Sequence, residues 1–132
     1  MTATVLNYST YLILVPAFIA AVLGRWIDFF VIMGCAAGSI MHHATYSPTT
    51  FVVDQITTYI LIIRTFFLAI GSLTTIGLYI LGFGYMGVMY LYGKNINRFA
   101  FDPRQEIADM YHASMHIIGI IIYSVSMIWL LP

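Results

Sequence analysis

Charge is scarce in this chain of 132 residues: five Lys and Arg and five Asp and Glu make up 8% of it, against about 25% in an ordinary soluble domain. Ten charges cannot cover the surface of a soluble globule, so that class is excluded. No basic cluster is available to meet phosphates, which excludes a nucleic-acid partner. Disorder is excluded by a hydrophobic content of 61%. Cysteine is almost absent as well. Cys35 stands alone, so an intrachain disulfide is impossible, and within its apolar run it reads as a small packing residue. No Lys or Arg precedes Arg25, so the charged start of a secretory signal is missing and the first apolar segment is expected to be retained. The class that remains is all-α: an integral, multi-pass membrane helix bundle, with residues 1–132 as a single transmembrane domain.

What the chain has in quantity is long apolar stretches. A membrane-spanning helix needs about 20 apolar residues, each adding about 1.5 Å across a hydrocarbon core of about 30 Å. Charges, Gly and Pro divide the chain into five such stretches, at residues 5–24, 29–46, 50–70, 73–93 and from 102 to 131. Arg25, Trp26 and Asp28 are read as a short interfacial turn, Ser47-Pro48 as the end of the second helix, and Gly71-Ser72 as a tight turn. Residues 94–102 form the one long polar loop. The fifth helix has the clearest start signal. Asp102-Pro103-Arg104-Gln105 reads as N-cap, Pro at the first helical position and a capping Gln at the third. Arg104, Glu106 and Asp109 are then expected in the interface.

Five spans place the two termini on opposite sides. Lys94, Arg98 and Arg104 fall on the N-terminal side, and Arg25, with a snorkelling Arg64, on the other. By one or two charges, the positive-inside rule makes the N-terminal side the cytoplasmic or matrix one. Endomembranes and the mitochondrial inner membrane both fit.

Ionisable residues inside membrane spans are costly and mark functional sites by default. Ser39, His42 and His43 lie near the end of the second helix, Asp54 near the start of the third, and His112 and His116 near the start of the fifth. The five-span topology brings all of them to the N-terminal side at similar depth. One helix more or fewer between Asp54 and His112 would have separated them. Ser39 and His43 are spaced i, i+4 and share a helix face, as do His112 and His116, which lets two imidazoles bind one ion. Three His on two helices beside a carboxylate match the three-ligand pattern of catalytic zinc, in which water holds the fourth position. Zinc lowers the pKa of that water towards about 7, and Asp54 could hold the water or take its proton. Each residue has a structural alternative too. The His pair could bond to carbonyls or to polar groups on neighbouring helices, and Ser39 could serve helix packing beside Gly34, Ala37 and Gly38. His42 points about 100° away from His43, towards the headgroups. Asp54 needs a partner or a neutral form.

The pattern Ser39-x3-His43-x10-Asp54 followed by His112-x3-His116 resembles the CREST superfamily of membrane hydrolases, which includes alkaline ceramidases, progestin and adipoQ receptors and Per1-like lipid-remodelling proteins. The local text is closest to alkaline ceramidases, in Ser39-Ile-Met-His-His43-Ala-Thr and in His112-Ala-Ser-Met-His116 followed by Gly119 and Tyr123. The resemblance implies His43, His112 and His116 as zinc ligands, Asp54 as the base, and Ser39 as a support for the oxyanion or a neighbour. The family has seven membrane helices and this chain offers five. The two fewer lie between Asp54 and His112, which preserves their common side. The acidic calcium ligands of ceramidases have no counterpart, since no Asp or Glu precedes Asp28.

Two functions follow as expectations. One is a zinc-dependent amidohydrolase acting on a membrane lipid such as a ceramide. The other is a small non-enzymatic subunit of a larger membrane complex, such as a respiratory one, either structural or holding a b-type haem between His43 and His112 or His116. The Ser-x3-His-x10-Asp spacing has no particular use in haem binding, which favours zinc.

Overall fold

The computed structural model describes residues 2–129. Its helices are α1 (Thr2–Tyr11), α2 (Leu14–Val22), α3 (Trp26–Thr45), α4 (Pro48–Ala69), α5 (Leu73–Gly87), α6 (Gly93–Ile96) and α7 (Gln105–Trp129), with a π-helical segment at Val88–Tyr92 and a 3₁₀ turn at Phe99–Phe101. No strand occurs among the described residues. Five helical spans are long and apolar enough to cross a membrane: Val5–Val22, Trp26–Thr45, Pro48–Ala69, Leu73–Ile96 and Gln105–Trp129. Large apolar side chains such as Phe18, Ile27, Phe30, Leu73 and Leu81 point outward, an arrangement suited to lipid and not to water. The expected end of the last helix at 131 lies outside the described residues.

Pro16 interrupts the first span, which had been expected to run unbroken. A proline lacks the N–H that would bond to the carbonyl four residues back, and its ring crowds that carbonyl. The Leu12 carbonyl instead accepts from Val15 N at 3.0 Å, and Ile13 N donates to the Thr10 carbonyl at 3.1 Å. The span is thus two helices joined by a tightened turn. Gly24, at φ 67°, makes the next turn. At the other end of α3, Tyr46 takes a left-handed φ of 48° and donates its N–H to the His42 carbonyl at 2.7 Å. Ser47 then caps α4 by accepting from Thr50 N at 3.2 Å, with Pro48 in the first turn. Ser72 caps α5 in the same manner through Thr75 N at 3.1 Å.

The start of α7 differs from the expected capping box. Asp102 does accept from the backbone N–H of Arg104 at 2.9 Å, but the helix proper begins at Gln105. The Gln105 side chain turns the other way and donates to Asp109 Oδ1 at 2.6 Å. The Arg104 side chain pairs with Asp102 and holds its carboxyl below the usual carboxylate range.

The core lies where α2, α3, α4 and α7 meet, around Ile13, Ala17, Ala20, Ile32, Ala36, Leu68, Tyr123 and Met127. Its alanines let backbones approach closely, as small residues do between membrane helices. Asp28 belongs to this interior and not to an interfacial turn. It is 1% exposed and accepts from Arg25 Nε at 2.8 Å, Arg64 Nε at 2.7 Å and the Tyr123 hydroxyl at 2.8 Å. Arg64 therefore reaches inward to an ion pair, where a snorkelling side chain had been expected. α3 comes close to α4 at Gly38, where a Cβ would stand 2.7 Å from Thr57 Oγ1 and 3.3 Å from Asp54 Cα. Gly38→Ala must push α4 back and is expected to destabilise the fold by about 1–3 kcal/mol, read as a lower midpoint in thermal unfolding in detergent.

Candidate metal centre

The Ser39–His43 and His112–His116 pairs keep the shared faces that their i, i+4 spacing requires, because α3 and α7 are regular through both stretches. Packing then turns those faces towards each other. One nitrogen from each of His43, His112 and His116 can be chosen so that all three lie within 4.8 Å of one another. The ring centroids are 5.2 Å apart for His43–His112, 5.7 Å for His43–His116 and 4.9 Å for His112–His116. Two nitrogens bound tetrahedrally at about 2.1 Å stand about 3.4 Å apart, so small ring rotations suffice to close the set around one ion.

The hydrogen bonding also suits a metal. Both ring nitrogens of His43 are buried and have no hydrogen-bond partner, and the same holds for Asp54 Oδ1. An unsatisfied buried polar atom costs about 1–3 kcal/mol, and ion binding is one of the standard reasons for such atoms. His116 differs in that its Nδ1 lies 3.0 Å from Ser9 Oγ. That leaves Nε2 as the nitrogen free to bind.

Ser39, Asp54, His112 and His116 open onto one cavity of about 330 Å³. Its other walls are mostly apolar, including Ile32, Leu61, Phe83, Met115 and Ile120. The lining runs along α7 from His112 to Tyr123, about 16 Å of helix. Cys35 is buried with its thiol 3.9 Å from Thr58 Oγ1 and lines the same cavity, in keeping with a packing role. His42 stands beside the cluster, its ring 5.4 Å from His43 and 5.4 Å from Phe51.

Two residues at the site carried no signal for function in the sequence. Asp109, expected in the interface, is buried one turn before His112. Gln105 donates to its side chain, and the reading of Gln105 as the capping residue of the helix start concealed the pair. Ser9 is buried as part of the stripe Leu6, Ser9, Thr10 and Ile13. The stripe is readable as a helix face, but its contact with His116 lies 107 residues away. The π-helical segment places Tyr90 and Leu91 on the cavity wall. Such segments arise where a helix carries an extra residue and are frequent at functional sites.

No protein-family profile, curated protein or solved structure matches this chain.

Proposed function

We propose that the chain is a membrane-embedded zinc-dependent hydrolase of lipid amides, of the kind its motifs resemble in alkaline ceramidases. The observation that carries this reading is the convergence of three imidazoles on one point, at the polar end of an apolar cavity that also presents a buried carboxylate and a hydroxyl. His43, His112 and His116 would hold the ion. Zinc in a three-histidine setting supplies a Lewis acid that activates water and polarises a carbonyl. Asp54, unpartnered at Oδ1, takes the proton from the attacking water as the oxygen–carbon bond forms, and returns it to the nitrogen as the C–N bond breaks. A fatty acid and an amine are the products. Ser39 faces the same space and can donate to the carbonyl oxygen. The apolar walls hold the substrate's hydrocarbon chain and keep bulk water from the site.

The experiment is elemental analysis of the purified full chain, coupled to fatty-acid release from labelled ceramide. Wild type is expected to carry one equivalent of zinc and to release fatty acid. His116→Ala is expected to lose both, and a chelator to abolish release from wild type. A well-folded wild type without stoichiometric zinc after dialysis against it would overturn the reading.

One observation favours the alternative of a complex subunit. Among the described residues of α5 only Thr75 is fully buried, and one side of this helix, with Leu73, Ile80 and Leu81, is open to lipid or to another chain. In that reading a haem would lie between two of the histidines. The third imidazole argues against it, since a bis-histidine haem would use two of the three and leave the other, within 4.8 Å of them, without a role. A Soret band in the purified chain, with no zinc, would decide for haem.

A further inference from the structure

We infer that Ser9 is a positioning residue for the metal centre: by accepting a hydrogen bond from His116 Nδ1–H, it fixes the tautomer that leaves Nε2 free to bind the ion. This rests on the metal reading of the three-histidine cluster.

The geometry is specific. Ser9 Oγ lies 3.0 Å from His116 Nδ1, and Ser9 is 3% exposed. The Ser9 hydroxyl also lies 2.8 Å from the Leu6 carbonyl, to which it donates. A hydroxyl has one proton. When that proton goes to Leu6, whose carbonyl also accepts from the Thr10 hydroxyl at 2.9 Å, Oγ meets His116 as an acceptor, Nδ1 carries the hydrogen and Nε2 keeps its lone pair. Metal-binding histidines typically donate their second nitrogen in this way, which fixes both tautomer and ring orientation. His43 has no such partner for either nitrogen, so His116 is the ligand that arrives already oriented.

The support comes from the first span, which supplies no ligand itself. α1 packs along α7, and the break imposed by Pro16 lets it tilt independently of α2, which packs mainly on α3. The bland role for a buried serine with an i−3 back-bond is to fill a small space in a helix contact. That role predicts no effect on metal affinity.

The test uses the full chain in mild detergent. Zinc affinity is measured by competition with a chromophoric chelator, and the ligand field by cobalt(II) substitution. Ser9→Ala is expected to weaken zinc binding by about 10-fold or more, within the 10–100-fold range common for such supporting groups, and to alter the cobalt spectrum while helicity is kept. Ser9→Thr, which restores the hydroxyl, is expected to bring affinity back near wild type. Equal affinity in wild type and Ser9→Ala would overturn the inference while leaving the metal centre standing, whereas a wild type that binds no zinc would remove the metal reading itself. If Ser9→Ala does not fold, ¹⁵N spectra of the wild-type imidazoles decide. A protonated Nδ1 at His116 upholds the inference, and an unprotonated one overturns it.

Discussion

Asp54→Asn is expected to keep its zinc and lose hydrolysis by about 10²–10⁴-fold, the range that a positioned general base contributes. The two readouts separate because Asp54 is not among the three residues whose ligand atoms converge. It lines the same cavity as Ser39, His112 and His116. Asn has the same shape and keeps a hydrogen-bonding oxygen, so volume and packing against Gly38 are preserved. What it loses is a basic oxygen able to take a proton. Stability should move the other way. A carboxylate buried with one oxygen unpartnered is held at a free-energy cost, and Asn carries no charge to desolvate. Asp54→Asn should therefore melt no lower than wild type, the trade of stability for activity expected at a working site. His43→Ala should differ in kind, losing metal and turnover together. The decisive measurement is single-turnover release from labelled ceramide at matched zinc content. Equal rates for Asp54→Asn and wild type would remove Asp54 from the chemistry.

The parts of this architecture that were legible in the sequence are those set by local periodicity. Five apolar stretches of sufficient length appear as five spans, because the length needed to cross a bilayer is a property of each segment alone. The His pair on α7 and the Ser39–His43 pair on α3 follow from the helical repeat. Their meeting follows from counting spans, since Asp54 and His112 must lie on the same side. Less legible were features that depend on a distant partner. Asp28, three residues from Arg25, reads as interfacial until Arg64 and Tyr123 close on it from α4 and α7. Ser9 reads as a small polar residue on a buried face until His116 arrives. Pro16 was visible, but a proline near the middle of an apolar run can be accommodated within one bent helix or divide it in two. Which outcome prevails depends on what each half packs against.

Asp28 supplies the largest expected loss of stability. Asp28→Ala would leave Arg25 and Arg64 facing each other without a counter-ion and the Tyr123 hydroxyl without its acceptor. Removing one partner of a buried ion pair typically costs about 3–5 kcal/mol, because a charge remains desolvated and unpaired. Arg25→Ala should be far milder. Arg64 still neutralises Asp28, so no buried charge is left unpaired, and what is lost is one of two ion-pair partners and the bond to the Met127 carbonyl. A paired replacement, Asp28→Leu with Arg64→Leu, should recover much of the loss, since apolar residues of similar volume often substitute for a buried pair at little net cost. Thermal or denaturant unfolding in detergent ranks the three variants. If Asp28→Ala unfolded with the wild-type midpoint, the network would be incidental. The location of the loss is informative as well. Asp28 and His43 lie at opposite ends of α3, about 22 Å apart along the helix, so the ion pair clamps α3, α4 and α7 at one end while the imidazoles meet at the other. Arg25→Ala should then weaken the clamp without touching zinc affinity, and His43→Ala should empty the metal centre without opening the clamp.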